Sequence, residues 1–300
     1  MAKAVYVGVG SKARKMKKAY IGIGGKARKV KKMYIGVGGK ARLCYSAEAD
    51  KFGMAASLSK ARSLLAGTTV GGYALFGGGG YDNDAHKGEA IMDAYNASLT
   101  RTTATPLPSN AYACAGGTVG GYAVFSGGSS MNSDSTLVET IGALEIVRAY
   151  DSSLTSSQAA PLSCPRAVHS AATIGNHLLF AGGYNSTTGK YLSTVESYDA
   201  SLTRSTAVEL SSAKNGLASA TVGEYAMFAG GYKGNSDATY VATVDAYNTA
   251  LTKTTMPDLS VGRHGLASAV IGDYALFAGG ISKISSTADK YQDVVDVYSA

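Results

Sequence analysis

The sequence predicts an all-β protein built from repeated antiparallel sheets, and three observations support this fold class. Residues 1–47 repeat with a period of 14, and each unit contains a run of Tyr, Ile or Val, which favours strands. From Leu58 onward a second repeat has a period close to 50, a length typical of propeller blades or solenoid units. The chain also contains 38 Gly among 300 residues, as many tight turns between short strands require.

Each long repeat carries signals for four antiparallel strands. An aromatic residue followed by glycines recurs at Phe76, Phe125, Phe180, Phe228 and Phe277. The small-residue strand before it ends at a two-residue turn that starts with glycine, which predicts a type II′ hairpin at Gly71, Gly120, Gly175, Gly223 and Gly272. A third strand ends in Tyr, and a Leu-Thr segment after the first four of these tyrosines predicts a fourth strand.

The long repeat resembles the kelch motif. The segment CPRAVHSAATIGNHLLFAGGY, residues 164–184, followed by STVESYDASLT, residues 193–203, has the order of a basic residue, a Gly-x turn, aromatic-Gly-Gly and Val-Glu-x-Tyr-Asp. The resemblance covers about 58–300 and implies a five-bladed β-propeller of four-stranded blades. Kelch units usually carry a Trp after Tyr-Asp, and this chain has none. We expect leucines to do that packing between blades: Leu99, Leu154, Leu202 and Leu251.

The fifth repeat ends before its fourth strand. Only Ser299 and Ala300 follow Tyr298, whereas 12 residues separate Tyr95 from Leu107. Residues 50–56 match the missing piece in register, so we expect them to complete the last blade and close the ring, which would remove two open sheet edges. The predicted domains are an arm at 1–47 and a propeller at 48–300, with an open or longer array as the alternative.

The arm is strongly basic. Of the 28 Lys and Arg residues, 13 lie in residues 1–47, which contain no Asp or Glu, while the other 15 share the rest of the chain with all 21 acids. Each unit predicts two short strands separated by a Gly-Gly or Gly-Ser break. The core YIGxGGKAR resembles repeats in virion structural proteins of phages and prophages. The candidate attachment residues are its cations: Lys12, Arg14, Lys26, Arg28, Lys40 and Arg42.

Several function classes find little support in the sequence. The three cysteines, Cys44, Cys114 and Cys164, have no metal-ligand spacing, and the GIGGKARK segment lacks the Ser/Thr of a phosphate-binding loop. The four histidines have no Ser or Cys partner at a motif spacing, so we expect no enzyme activity, no metal site and no cofactor. Basic residues interrupt each apolar run, so we expect no signal peptide and no membrane insertion.

Cations recur 14 residues before the anchor Phe in four of the five long repeats. They are Arg62, Arg166, Lys214 and Arg263, and the second repeat has Ala111 there. The kelch resemblance places this connection at the axial mouth. It implies a candidate ligand-binding set of Arg62, Arg166, Lys214, Arg263, Tyr112, Asn215 and His264, which could hold carboxylates, sulfates or phosphates. The alternative is that each cation pairs with an acid or carbonyl of a neighbouring blade.

We therefore expect a non-enzymatic binding or structural protein. The main hypothesis is a phage or prophage tail-associated protein, made in the cytoplasm and incorporated in a virion. Its propeller would present variable loops (80–90, 129–140, 185–192, 233–240 and 282–291) to a host-surface glycan or protein. The arm would contact other virion proteins or oligomerise. The alternative is an intracellular scaffold that binds an acidic peptide at the propeller mouth. Nucleic acid is the less favoured partner because the body is acidic.

Overall fold

The structure is a computed structural model that describes residues 6–9, 12–15, 20–23, 26–29, 32–37, 40–46, 55–81, 87–130, 142–234, 239–285 and 288–299. The chain divides into two compact units, Met1–Met54 and Ala55–Ala300, where the sequence had suggested a boundary after residue 47. All regular elements in the described ranges are strands, so the protein is all-β. Within those ranges, no helix is long and apolar enough to span a membrane.

The first unit contains three β-hairpins, one for each 14-residue repeat. Their strands pair in chain order: β1 (Tyr6–Val9) with β2 (Lys12–Lys15), β3 (Tyr20–Ile23) with β4 (Lys26–Lys29), and β5 (Lys32–Val37) with β6 (Lys40–Ser46). The prediction of two short strands per unit is confirmed. Lys12 and Arg14 lie two residues apart on β2, so they share one face of their hairpin, and the other two units repeat this arrangement.

The second unit contains five successive sheets, which we call blades 1 to 5. In blades 1 to 4 the sheet has four strands, A to D in chain order, and blade 5 has strands A to C. In blades 1, 2, 3 and 5, a short rim hairpin lies between strands B and C. The predicted fourth strand is therefore confirmed in the first four repeats.

The strands of the blades, in chain order with the rim hairpin included, have the following bounds. Blade 1 contains β7 (Ala66–Val70), β8 (Tyr73–Gly77), β9 (Gly80–Tyr81), β10 (Lys87–Gly88), β11 (Met92–Asn96) and β12 (Arg101–Thr103). Blade 2 contains β13 (Ala115–Val119), β14 (Tyr122–Ser126), β15 (Ser129–Ser130), β16 (Gly142–Ala143), β17 (Val147–Tyr150) and β18 (Ser156–Gln158). Blade 3 contains β19 (Ser170–Ile174), β20 (His177–Ala181), β21 (Tyr184–Asn185), β22 (Lys190–Tyr191), β23 (Val195–Tyr198) and β24 (Arg204–Ala207). Blade 4 contains β25 (Ala218–Val222), β26 (Tyr225–Ala229), β27 (Val244–Tyr247) and β28 (Lys253–Met256). Blade 5 contains β29 (Ala267–Ile271), β30 (Tyr274–Ala278), β31 (Ile281–Ser285), β32 (Ala288–Tyr291) and β33 (Val295–Ser299).

The turn between strands A and B begins with a left-handed glycine in all five blades. In blades 2 to 5 only the first turn residue has positive φ, as a type II′ turn requires. In blade 1 both residues do, with φ of 52° at Gly71 and 85° at Gly72, which is the pattern of a type I′ turn. The prediction holds for four turns, and blade 1 differs because its second residue is also glycine.

Consecutive blades pack face to face, and the anchor Phe lies in each interface. Phe125, for example, joins blade 2 to a cluster formed by Val70, Leu75 and Met92 of blade 1. The predicted leucines Leu154, Leu202 and Leu251 pack against the same kinds of cluster, between blades 1 and 2, 2 and 3, and 3 and 4. Their packing role is therefore confirmed. Leu99 of blade 1 has no preceding blade and is 47% exposed.

The described blades form an open array, which corrects the expected closed ring. In blade 4, the face towards blade 5 buries Val222 and Val244, whereas the equivalent Ile271 and Val295 of blade 5 are 69% and 50% exposed. The opposite face of blade 1 borders an open groove of about 690 Å³ beside Leu99. Both faces are apolar, yet neither is covered by the other blade.

The predicted closing strand, residues 50–56, lies mostly outside the described residues. Its described end, Ala55 and Ala56, forms no strand. The Ala56 carbonyl accepts a hydrogen bond of 2.9 Å from the Tyr95 hydroxyl of blade 1. Tyr150 of blade 2 donates in the same way to the Thr105 carbonyl, so this contact belongs to the start of a blade. The described strands of the last sheet remain three: β29, β30 and β33.

Candidate functional site

One end of the blades carries both the crossovers between blades and the loops between strands B and C. Successive strands of a blade are antiparallel, so strand A starts at this end and strand B returns to it. Backbone bridges here join the residue after each predicted cation position to the residue after the diglycine: Ser63–Gly80, Tyr112–Ser129, Ala167–Tyr184, Asn215–Tyr232 and His264–Ile281. We call this the loop end; it brings the predicted site residues and the variable loops together.

The four predicted cations lie inside the blades and do not form an exposed socket. Their side chains are fully buried, and each forms an ion pair with the acid on strand C of its own blade. The pairs and their N–O distances are Arg62–Asp93 at 2.9 Å, Arg166–Glu196 at 3.0 Å, Lys214–Asp245 at 3.4 Å and Arg263–Asp296 at 2.8 Å. A cation without water or a free face cannot recruit an anion from solution, so the structure supports the alternative of internal pairing.

Each buried pair is completed by neighbouring polar groups. The Asp93 carboxylate also accepts from the backbone N–H and hydroxyl of Ser59, and Arg62 donates to the carbonyls of Phe76 and Gly78. Burial alone would raise the pKa of Asp93, but the hydrogen bonds from Arg62 and Ser59 lower it below its usual value. The pair therefore links the crossover, the end of strand B and strand C of one blade.

Blade 2 shows that this cluster is a structural unit. It has Ala111 in place of the cation, and at the acid position it has Arg148 on strand C. Its crossover also has Pro108 where the other blades have a serine. The cation, the acid and the serine are thus all replaced together in the same repeat, as expected for groups that stabilise one another.

Residues two places after the cation position line the inner rim through a chain of backbone hydrogen bonds. The donor N–H groups of Ala113, Val168, Gly216 and Gly265 bond to the carbonyls of Leu64, Ala113, Val168 and Gly216 at 2.9 to 3.0 Å. All five residues have left-handed φ, which is strained for a β-branched residue such as Val168 at 56°. This rim is uninterrupted from blade 1 to blade 5.

Five aromatic rings form a continuous strip across blades 3 to 5 at the loop end. The centroid distances are 4.9 Å for Tyr184–Tyr191, 5.5 Å for Tyr191–Tyr232, 5.4 Å for Tyr232–Tyr240 and 4.8 Å for Tyr240–His264. The last two rings stack, with their planes at 14°. All five side chains are partly exposed. We call them the aromatic strip.

Polar groups fix the blade 5 end of the strip. The Tyr240 hydroxyl donates to the Asp289 carboxylate at 3.2 Å, and Lys283 pairs with the same carboxylate at 3.3 Å. Burial raises the pKa of Tyr240, and burial lowers the pKa of His264, against the opposing field of Asp289. His264 therefore presents a neutral ring at neutral pH. Such a surface can stack on a flat apolar ligand face and donate hydrogen bonds at its edge.

Sequence reasoning found one member of the strip and missed the others. His264 was among the predicted residues, and Asn215 lies next to the strip through its bridge to Tyr232. Tyr112 bridges Ser129 in blade 2, away from the strip. A signal did exist, since Tyr184 and Tyr232 both occur four residues after the anchor Phe. The six cations of the arm lie on β2, β4 and β6, in the first unit.

The structure also supplies two Ser–His contacts that motif spacing did not suggest. Ser126 Oγ lies 2.8 Å from His169 Nε2, and Ser197 Oγ lies 3.0 Å from His177 Nδ1. Both Ser126 and His169 are buried, and burial lowers the pKa of His169 to about 3. The first contact is therefore closed to a substrate. No group of three or more potential metal ligands occurs among the described residues.

Comparisons with known proteins support the fold. The family model described as the kelch motif matches residues 165–201, which run from the buried Arg166 through strand C of blade 3. No curated protein matches the chain. A solved structure entitled "Structure of YjhT" is similar to this chain with a TM-score of 0.61 at 14% identity, covering 92% of this chain and 95% of the other. The second unit thus has a propeller-like fold with a kelch motif in blade 3.

Proposed function

We propose that the protein is a binding protein whose loop end presents the aromatic strip to a glycan or protein ligand on a host surface. The single observation that carries this proposal is the strip of five partly exposed rings, Tyr184 to His264, on the face that holds the variable loops. Tyrosines supply large contact area at little entropic cost, and they are enriched at binding hot spots. Kelch repeats are in general binding modules, which is consistent with this role.

The basic hairpins of the first unit form the attachment part of the proposal. Each repeat sets Lys and Arg on one hairpin face, as with Lys26 and Arg28, and residues 1–47 contain no acid to neutralise them. Such a surface favours an anionic partner or an oligomeric neighbour. Together with the resemblance of the repeats, this supports a phage or prophage tail-associated protein. The intracellular scaffold loses its main argument, because the cations meant for an acidic peptide are buried in pairs.

The test uses the full chain and substitutions borrowed from blade 2. Blade 2 has Ser129 where blade 3 has Tyr184, and Ala143 where blade 4 has Tyr240. The variant Y184S/Y240A should therefore fold, yet lose at least about tenfold in affinity on arrays of bacterial surface glycans and proteins. Y291A is the matched control, since Tyr291 is 83% exposed on the blade 5 rim hairpin and lies outside the strip.

Retention of binding by Y184S/Y240A would remove the strip from the proposal. The attachment part is tested separately with K12Q/K26Q/K40Q, which lowers the charge of each hairpin. We expect this variant to keep ligand binding and to lose incorporation into particles, as measured by immunoblotting of purified virions. Absence of the wild-type protein from particles would contradict the virion assignment.

A further inference from the structure

A cleft of about 400 Å³ opens at the loop end between blades 3 and 4. Its walls include Lys190 and Tyr191 from the rim hairpin of blade 3, Ser212 from the crossover, and Lys233 and Gly234 from blade 4. The volume falls within the range of small-ligand sites. Tyr191 also belongs to the aromatic strip, so the cleft continues the proposed binding surface.

A buried hydroxyl in this cleft has no protein partner. Ser212 Oγ is buried and makes no hydrogen bond within the described structure. The equivalent atom in blade 3, Cys164 Sγ, accepts from Asn185 Nδ2 at 3.2 Å. Lys233 occupies the position of Asn185 in blade 4, five residues after the anchor Phe. The exchange of Asn for Lys thus removes the internal donor and leaves a polar group for a ligand.

Two ammonium groups line the same cleft without an ion pair to any described residue. Lys190 and Lys233 differ in this from loop-end lysines elsewhere, since Lys60 pairs with Glu89 and Lys283 with Asp289. Two like charges beside one cleft favour the entry of a single anionic group between them. The cleft therefore has a cationic side as well as a hydroxyl at its wall.

The remaining wall is a tyrosine ring held in a fixed position. A Cβ at residue 234 would lie 2.3 Å from the Tyr191 ring, so only glycine lets the blade 4 backbone approach it. Tyr232 contacts the ring from another direction, with centroids 5.5 Å apart. A ring fixed in this way can stack on the apolar face of a pyranose.

We propose that this cleft binds a saccharide that carries one carboxylate or phosphate group. The sugar ring lies on Tyr191, the anion lies between Lys190 and Lys233, and Ser212 hydrogen bonds to a hydroxyl or to the anion. This inference rests on the proposed function and specifies its ligand. A single charge fits better than a polyanionic strand, because the chain beyond residue 47 holds 15 Lys and Arg against 21 acids.

The experiment measures Kd for the full chain with five probes: methyl glucuronide, glucose 1-phosphate, methyl glucoside, inorganic phosphate and oligothymidylate. We expect one or both acidic sugars to bind at least about tenfold tighter than the neutral sugar, since charge-assisted hydrogen bonds exceed neutral ones. K233N, which copies blade 3, and K190Q should each remove this preference. K290Q is the matched control, because Lys290 is exposed and has the same position on the blade 5 hairpin as Lys190 on that of blade 3.

The outcomes separate this inference from the proposed function. Tighter binding of only one acidic sugar supports the cleft and identifies its anion. Equal affinity for the neutral sugar, equal affinity for inorganic phosphate and glucose 1-phosphate, or an unchanged K233N would overturn it. Oligothymidylate binding that K233N abolishes would overturn it as well, in favour of a nucleic acid strand. If Y184S/Y240A loses array binding while K233N keeps it, the cleft fails and the binding function stands. If the wild type binds no glycan or protein, both fail.

Discussion

Replacing Arg166 by Ala tests whether the crossover cations are structural. The Arg166 side chain is fully buried and lies 3.0 Å from the Glu196 carboxylate, so R166A leaves that charge buried with the Ser163 N–H and the more distant Arg204. Breaking a buried pair from one side costs about 3–5 kcal/mol. Because Arg204 remains 3.7 Å from Glu196, we expect a value near the lower end. For a unit of this size, 3 kcal/mol corresponds to a fall of about 6–12 °C in Tm.

The assay is urea and thermal unfolding of the full chain followed by circular dichroism, with two further variants. R166A/E196Q removes the uncompensated charge, so it should recover at least half of the loss, as blade 2 does without such a pair. R148A is the control, since Arg148 holds the acid position in blade 2 and forms no ion pair there within the described residues; its stability should stay within about 0.5 kcal/mol. A similarly small effect of R166A would refute the buried pair, because an exposed socket predicts that result.

Three further predictions use pairs of equivalent positions or a single buried group. V244A should destabilise by about 1–3 kcal/mol and V295A by less than about 0.5 in urea unfolding, because Val244 is buried and Val295 is 50% exposed; equal losses would mean that blade 5 is covered in solution. Burial lowers the pKa of His169 to about 3, so stability present above pH 6.5 should fall by about 1.4 kcal/mol per pH unit towards pH 4.5, since only the unfolded chain takes up the proton; H169Q should flatten this profile, and an imidazolium signal in the native protein at pH 5 would contradict it. G183A should lose more stability than G72A, by about 1 kcal/mol or more, because both have positive φ but a Cβ at 183 meets the Ala167 carbonyl at 3.0 Å, while residue 72 faces open space; equal unfolding midpoints would show that strain alone matters.

The repeat architecture was predictable because it is local and periodic. Strand, glycine turn and strand follow one another within about 15 residues, so period and composition are enough to place them. The tyrosine of strand C and the packing leucines were found in the same way. Leu154 packs as expected, and Leu99 does not because its burial depends on a preceding blade.

The partner of each cation was harder to predict because it lies about 30 residues away. Spacing alone placed Arg166 at a mouth, where it could as well face a ligand. Only the fold shows that the crossover turns its side chain into the blade, against Glu196. The joint replacement at Ala111 and Arg148 was visible in the sequence, and comparing the repeats with one another would have revealed the pairing.

The aromatic strip and the cleft depend on contacts between loops of different blades. Tyr191 meets Tyr232 from the next blade, and the length of each loop decides whether their rings can touch. No periodic signal encodes such a contact, since the loops are the part of the repeat that varies.

By itself the sequence determined the all-β repeats, the strand boundaries and the basic character of the arm, since these follow from local propensity and period. The tertiary structure decided which charges are buried, which rings form a surface and that blade 5 leaves its outer face uncovered. The physical reason is that burial and charge pairing depend on distances between segments far apart in the chain, which only the packed blades set.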